Sequence, residues 1–168
     1  MVIGIDVDDT LVNTSQSFDN IIKKYNINFN KCFKDDWTTE EFDFICNNYL
    51  KEILLSAKLN EGAKEVIDYL NDKGYKIIVI TARSNNYNSV IIEGTIEQLK
   101  NENINITEFY FNEEEKAALA KKLKLDLMID DSYRVYGNMK KENIDCILFG
   151  EKIKTWKEVL EYIKKKEG

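Results

Sequence analysis

A set of short apolar runs, each stopping at a polar or turn residue, restricts this chain's fold more than any other feature. Residues 2–5 read Val-Ile-Gly-Ile and stop at Asp6, and residues 76–81 read Lys-Ile-Ile-Val-Ile-Thr. Runs this short and this continuously apolar are the pattern of strands buried on both faces of a parallel sheet. Two more have the same form, 127–129 before Asp130 and 145–149 before Gly150, and a weaker one lies at 108–111. Five strands are expected.

Between these runs the apolar residues recur at helical period. Ala63, Val66, Ile67 and Leu70 form one such face, closed by Gly74 as a C-terminal cap. Further helices are expected over 90–99, 116–123, 134–141 and 156–163, the last opened by a capping box of Thr155 and Glu158. Strands alternating with helices predict an α/β, doubly wound, Rossmann-like five-stranded parallel sheet with helices on both faces. Ligands of such sheets bind beyond the carboxyl ends of the strands, so the polar residues ending the runs should share one edge.

Residues 14–58 break this rhythm. Phe18, Ile21, Ile22 and Tyr25 share one helix face, and Thr38 with Glu41 forms a capping box before Phe42, Ile45, Tyr49 and Ile53. The segment reads as a small helical cap over the active edge, with the polar stretch 26–36 as a loop. The expected division is a core of residues 1–13 and 59–168 and a cap of residues 14–58.

Composition narrows the chemistry. At 168 residues and 43% hydrophobic content, the chain has apolar material for one ordinary core. No stretch of 18 apolar residues occurs and the first residues lead directly into a strand, so a soluble, cytoplasmic protein with no membrane partner is expected. Cys32, Cys46 and Cys146 lie far apart and read as reduced thiols. The chain contains no histidine, which excludes Ser/His and Cys/His nucleophile systems and HExxH zinc sites. A net charge of −6 with interleaved Lys and Glu argues against a nucleic-acid polymer as partner, and a small anionic substrate would need a local cation.

Asp6, Asp8 and Asp9 place three carboxylates at the end of the first strand, where mutual repulsion opposes full ionisation unless a cation is present. Taken alone, such a cluster also fits a turn held by local hydrogen bonds. Thr81 ends the second main strand, where its hydroxyl and the amides after it, beginning with Ala82, are placed to hold phosphate oxygens. Lys116 begins the helix after the third strand, and Lys121, Lys122 and Lys124 lie roughly 7–12 Å further along that axis. Asp130 and Asp131 end a fourth strand and supply further oxygen ligands for a magnesium site with Asp6, or a helix N-cap before Ser132.

Asp6-Val7-Asp8-Asp9-Thr10, the strand ending in Thr81, Lys116 and Asp130-Asp131 together resemble the four ordered motifs of the haloacid dehalogenase superfamily, over positions 2–131. The resemblance implies a Mg²⁺-dependent phosphomonoester hydrolase. Asp6 would be the nucleophile forming an aspartyl phosphate, and Asp8 the general acid/base. Thr81, Ala82 and Lys116 would bind phosphate. The metal would be held by Asp6, the Asp8 backbone carbonyl, and Asp130 or Asp131, with the direct ligand of that pair left open. Dehalogenase relatives lack an Asp two residues after the nucleophile, so Asp8 favours phosphoryl chemistry.

The short helical insert, Thr81-Ala82-Arg83 and Ile129-Asp130-Asp131-Ser132 resemble the 5'-nucleotidase, deoxyribonucleotidase-like branch. That resemblance implies nucleoside monophosphate substrates, with Arg83, Phe18 and Trp37 as substrate contacts. Phe33, Trp37, Phe42, Phe44 and Tyr49 make the cap aromatic, which fits either a base-stacking pocket or the cap's own core. A phosphosugar phosphatase or mutase is the alternative on the same catalytic edge. More distant are a receiver-like signalling module, disfavoured by the order of the motifs, and a Mg²⁺- or nucleotide-binding module without turnover.

Overall fold

In the computed structural model, residues 1–28 and 37–168 are described; Cys32 and Phe33 lie outside them. Five parallel strands form one sheet: β1 (Val2–Ile5), β2 (Lys76–Ile80), β3 (Glu108–Tyr110), β4 (Leu127–Asp130) and β5 (Cys146–Leu148). Their spatial order is β3-β2-β1-β4-β5. The chain builds outward from β1 through β2 to β3, then crosses back to β4 on the other side of β1. Strand order reverses between β1 and β4, and the crevice beyond their carboxyl ends is where a doubly wound sheet binds ligands.

Seven helices are described: α1 (Thr14–Lys24), α2 (Thr39–Ser56), α3 (Ala63–Asp72), α4 (Ile91–Asn101), α5 (Lys116–Leu123), α6 (Tyr133–Lys141) and α7 (Trp156–Glu167). The strand pleat divides the core. Ile3, Ile5, Ile77, Val79, Leu127 and Ile129 face α3 and α7, whereas Ile78, Ile80 and Met128 face α5 and α6. Gly4 occupies the second face, where a Cβ would meet Leu125 Cδ1 at 2.6 Å and Met128 Sδ at 2.8 Å. A side chain there would force these packed groups apart.

The helix ends follow the sequence signals. Both capping boxes form, Thr38 with Glu41 and Thr155 with Glu158, and Gly74, at φ +73°, ends α3 in the left-handed region that glycine adopts without strain. At the far end of the sheet Asp145 accepts from Tyr162 Oη, at 2.9 and 2.7 Å, and from Lys166 Nζ at 2.7 Å, fastening α7 to β5. Burial opposes ionisation of Asp145, but the hydrogen bonds from Lys166 and Tyr162 outweigh it and hold the carboxyl below its ordinary value. A depressed carboxyl stabilises the fold above its unfolded pKa and loses that contribution as pH falls through the folded one. Asp145→Asn should therefore lower stability by about 1 kcal/mol at pH 7, with the difference shrinking as pH falls through the carboxyl's depressed folded value, as measured by urea unfolding across pH.

Residues 13–58 leave the sheet and return to it at one place. Val12 pairs antiparallel with Leu59, with Asn13 N donating to Lys58 O at 2.8 Å and Asn60 N to Leu11 O at 2.9 Å. Between these two strands of the stalk, α1 and α2 pack on each other around Ile21, Ile45 and Ile53, joined by Phe18, Trp37 and Tyr49. The last turn of α2 rests on α4, where a Cβ on Gly94 would meet Leu55 Cδ1 at 2.5 Å. The glycine permits that close approach.

Candidate active site

The turn after β1 sets the site. Amides of Thr10, Leu11 and Val12 all donate to Val7 O, and Asp9 adopts φ +56°. Two groups outside the turn fix it: Trp156 Nε1 and Asn60 Nδ2 donate to Thr10 O at 3.1 and 2.8 Å. Trp156 is fully buried, so its indole both packs the core and anchors the loop that carries the carboxylates.

Asp6 begins that turn, its amide donating to Ile129 O of β4 at 2.9 Å. Across the strand-order reversal, Asp130 ends β4. Lys116, the first residue of α5, reaches between them, with Nζ 2.5 Å from Asp6 Oδ1 and 2.7 Å from Asp130 Oδ2. All three side chains are almost fully buried. Asp130 Oδ1 accepts from Ser132 N at 2.9 Å, and Ser132 in turn caps α6. The N-cap of α6 is thus Ser132 and neither acid of the pair, while Asp130 turns its other oxygen to Lys116.

Asp6, Asp130 and Asp131 each bring a carboxylate oxygen to within 4.8 Å of the others. Burial pushes the Asp6 carboxyl well above its ordinary value, with Asp130 and Asp8 adding to the effect and Lys116 opposing it. Burial likewise pushes Asp131 up to about 6, reinforced by Asp130 and Asp9. Burial acts to lower the Lys116 ammonium, yet the two carboxylates it touches raise it overall, so it stays charged. One lysine among this many carboxylates leaves negative charge uncompensated. A hard divalent cation such as Mg²⁺, which takes oxygen ligands at 2.0–2.1 Å and so holds them roughly 3–4 Å apart, suits the donor set and its spread.

Asp8 and Asp9 border the same cavity as these residues but have other partners. Asp9 accepts from Ser15 N and Oγ, both at 2.7 Å, and is spent holding the start of α1. The Asp8 carboxylate accepts from Thr14 Oγ1 at 2.5 Å and from Arg83, whose Nε lies 3.2 and 3.1 Å from its two oxygens and whose Nη2 lies 2.8 Å from Oδ1. Thr81 is fully buried and its Oγ1 accepts from Arg83 N at 3.1 Å. Asp6, Asp8, Ala82, Lys116, Asp130 and Asp131 all line a cavity of about 200 Å³; Thr81 and Arg83 do not. Glu113, Glu114 and Arg134 also border it, and the sequence did not single them out for this role.

Of the three residues read as substrate contacts, Arg83 has its guanidinium buried among protein partners. Phe18 and Trp37 pack against each other in the insert, ring centroids 5.9 Å apart. Phe42 and Phe44 are exposed. Phe42 meets Tyr87, on the segment after β2, edge-on at 6.4 Å.

No protein-family model matches the sequence, and neither does any curated protein. Solved structures do match in shape over nearly the whole chain. A predicted phosphatase from Clostridium acetobutylicum superposes with a TM-score of 0.69 at 13% identity, covering 98% of each chain. A Bacillus subtilis protein described as the HAD-hydrolase YfnB bound to magnesium gives 0.66 at 13% identity, over 97% of this chain and 98% of that one. A Thermotoga maritima protein described as a beta-phosphoglucomutase gives 0.57 at 13% identity, over 88% and 84%. The chain has the haloacid dehalogenase fold. On this haloacid dehalogenase sheet, β1, β4 and the start of α5 bring Asp6, Asp130 and Lys116 together at the strand-order reversal. Among the described residues, no helix is long and apolar enough to cross a membrane.

Proposed function

We propose that this chain is a Mg²⁺-dependent phosphomonoesterase working through an aspartyl phosphate on Asp6. The observation that carries the reading is the cluster of Asp6, Asp130 and Asp131 around Lys116 in a cavity that also holds Asp8. Asp6 attacks phosphorus in line and displaces the alkoxide, which takes a proton from Asp8; Asp8 then accepts a proton from the water that cleaves the acyl phosphate. Lys116 and the amides at Ala82, beside the buried Thr81, hold the phosphoryl oxygens. Asp6, Asp130, Asp131 and the Asp8 backbone carbonyl would hold Mg²⁺, which when bound would supply the positive charge that lets a carboxylate approach a phosphate dianion.

The substrate is a small phosphorylated metabolite, matching a cavity of about 200 Å³. The deoxyribonucleotidase-like resemblance favours nucleoside monophosphates, and the similarity to a protein described as a phosphoglucomutase favours phosphosugars to the same degree. Phosphate release from a panel of both, with and without Mg²⁺, tests the reading. Release that requires the metal is expected, and the preferred substrate chooses between the two classes. No release by folded, metal-supplied protein would overturn the proposal in favour of a binding role.

A further inference from the structure

The Asp8 carboxylate sits where both ends of the insert meet. Thr14, which donates to it at 2.5 Å, is the first residue of α1. Arg83, which grips it through Nε and Nη2, also donates from Nη2 to Leu54 O in the last turn of α2, at 3.2 Å. That carbonyl is among those a helix end leaves without an internal partner, and a cation there complements the helix dipole. Gln98 Nε2 shares the task, donating to Leu54 O at 3.2 Å and Ala57 O at 2.7 Å. Arg83 Nη1 is held by Thr95 Oγ1 at 2.9 Å and Gln98 Oε1 at 3.2 Å, so α4 fixes the fork. The Arg83 side chain is 1% exposed against 33% for Asp8, which leaves the carboxylate facing the cavity and the arginine behind it.

We infer that Arg83 is a positioning residue that ties the Asp8 carboxylate to the last turn of α2, making proton transfer depend on the seating of the insert. The inference rests on the phosphatase reading and on Asp8 as its acid and base. It gives Arg83 a role that involves no contact with substrate.

The test compares wild type, Arg83→Gln and Thr14→Val on two esters with Mg²⁺ present: 4-nitrophenyl phosphate, whose leaving group needs no proton, and the faster of deoxyuridine monophosphate and ribose 5-phosphate, whose alkoxide does. kcat/KM reports formation of the aspartyl phosphate, so Arg83→Gln should lower it about 10²-fold on the alkyl ester and less than about fivefold on the aryl ester. Breakdown of the aspartyl phosphate uses Asp8 as base whatever the leaving group, so kcat should fall on both esters to a common value. Thr14→Val removes one Asp8 donor without emptying a buried site, and should show the same pattern in weaker form even if Arg83→Gln folds poorly. Equal losses of kcat/KM on the two esters, or none on either, would overturn the inference. Inactivity of wild type on both esters would instead overturn the phosphatase reading on which it stands.

Discussion

Asp6→Asn is expected to abolish metal-dependent phosphate release, with turnover reduced by at least about 10⁴-fold, the scale seen when a covalent nucleophile is removed. The amide keeps the shape of the carboxylate but cannot attack phosphorus. The fold should survive, because Lys116 keeps its Asp130 partner at 2.7 Å and the substitution removes one of the crowded charges whose ionisation burial already opposes. Circular dichroism should show a melting temperature within about 2–4 °C of wild type, the equivalent of roughly 1 kcal/mol. Residual release within tenfold of wild type would mean that Asp6 is not the nucleophile, whatever the geometry around it. Unchanged activity together with retained metal dependence would point to another carboxylate of the cluster.

The fold was legible because its signals are local. A strand of four or five apolar residues ending in Asp or Thr, and a capping box four residues long, are written within one turn or one pleat. The helix expected over 116–123 is α5 to the residue, and Thr38 and Thr155 cap as their sequences indicate. Strand ends moved by one residue, as at β4, which includes Asp130, and β5, which begins at Cys146 and not at Asp145. Parallel pairing decides those limits, and a single strand does not display its neighbour's register.

The site was legible as a set of residues and only partly as a set of partners. The repulsion read from the spacing of Asp6, Asp8 and Asp9 persists, since Asp8 helps to raise the Asp6 carboxyl, but the turn on Val7 O, with Asp9 in the left-handed region, gives each a different partner. Asp6 faces Lys116, Asp8 faces Arg83 and Thr14, and Asp9 faces Ser15. No periodicity could announce the bond from Arg83 to a carboxylate 75 positions away, or its second bond to the end of α2. Those contacts exist because the stalk around Val12 and Leu59 returns the insert to its starting point. The deoxyribonucleotidase-like resemblance implied that Arg83 contacts substrate, whereas the backbone after Thr81 carries its side chain inward to Thr95 and Gln98 of α4.

Lys116 provides the second large effect. Its ammonium is the charge between two buried carboxylates, at 2.5 and 2.7 Å, and removing one partner of a buried ionic group costs far more than the group contributes when intact. Lys116→Met, which keeps the bulk of the stem, should destabilise the metal-free protein by about 3–5 kcal/mol at pH 7.5. The loss has a predictable pH dependence. Asp6 already holds its proton more tightly than an ordinary carboxyl, and without the lysine it does so more strongly. A carboxyl whose folded pKa is raised destabilises the fold increasingly as pH rises above the unfolded value, so the deficit should be smaller at pH 5 than at pH 7.5. Mg²⁺ at pH 7.5 should recover part of it by binding the three carboxylates in the folded state alone. Inhibition by inorganic phosphate should weaken by about tenfold or more, the worth of one charge-assisted hydrogen bond. A deficit below about 1 kcal/mol, equal at both pH values, would show that the lysine is a spectator to carboxylates already neutralised by protons, and the electrostatic basis of the proposed phosphate site would fail with it.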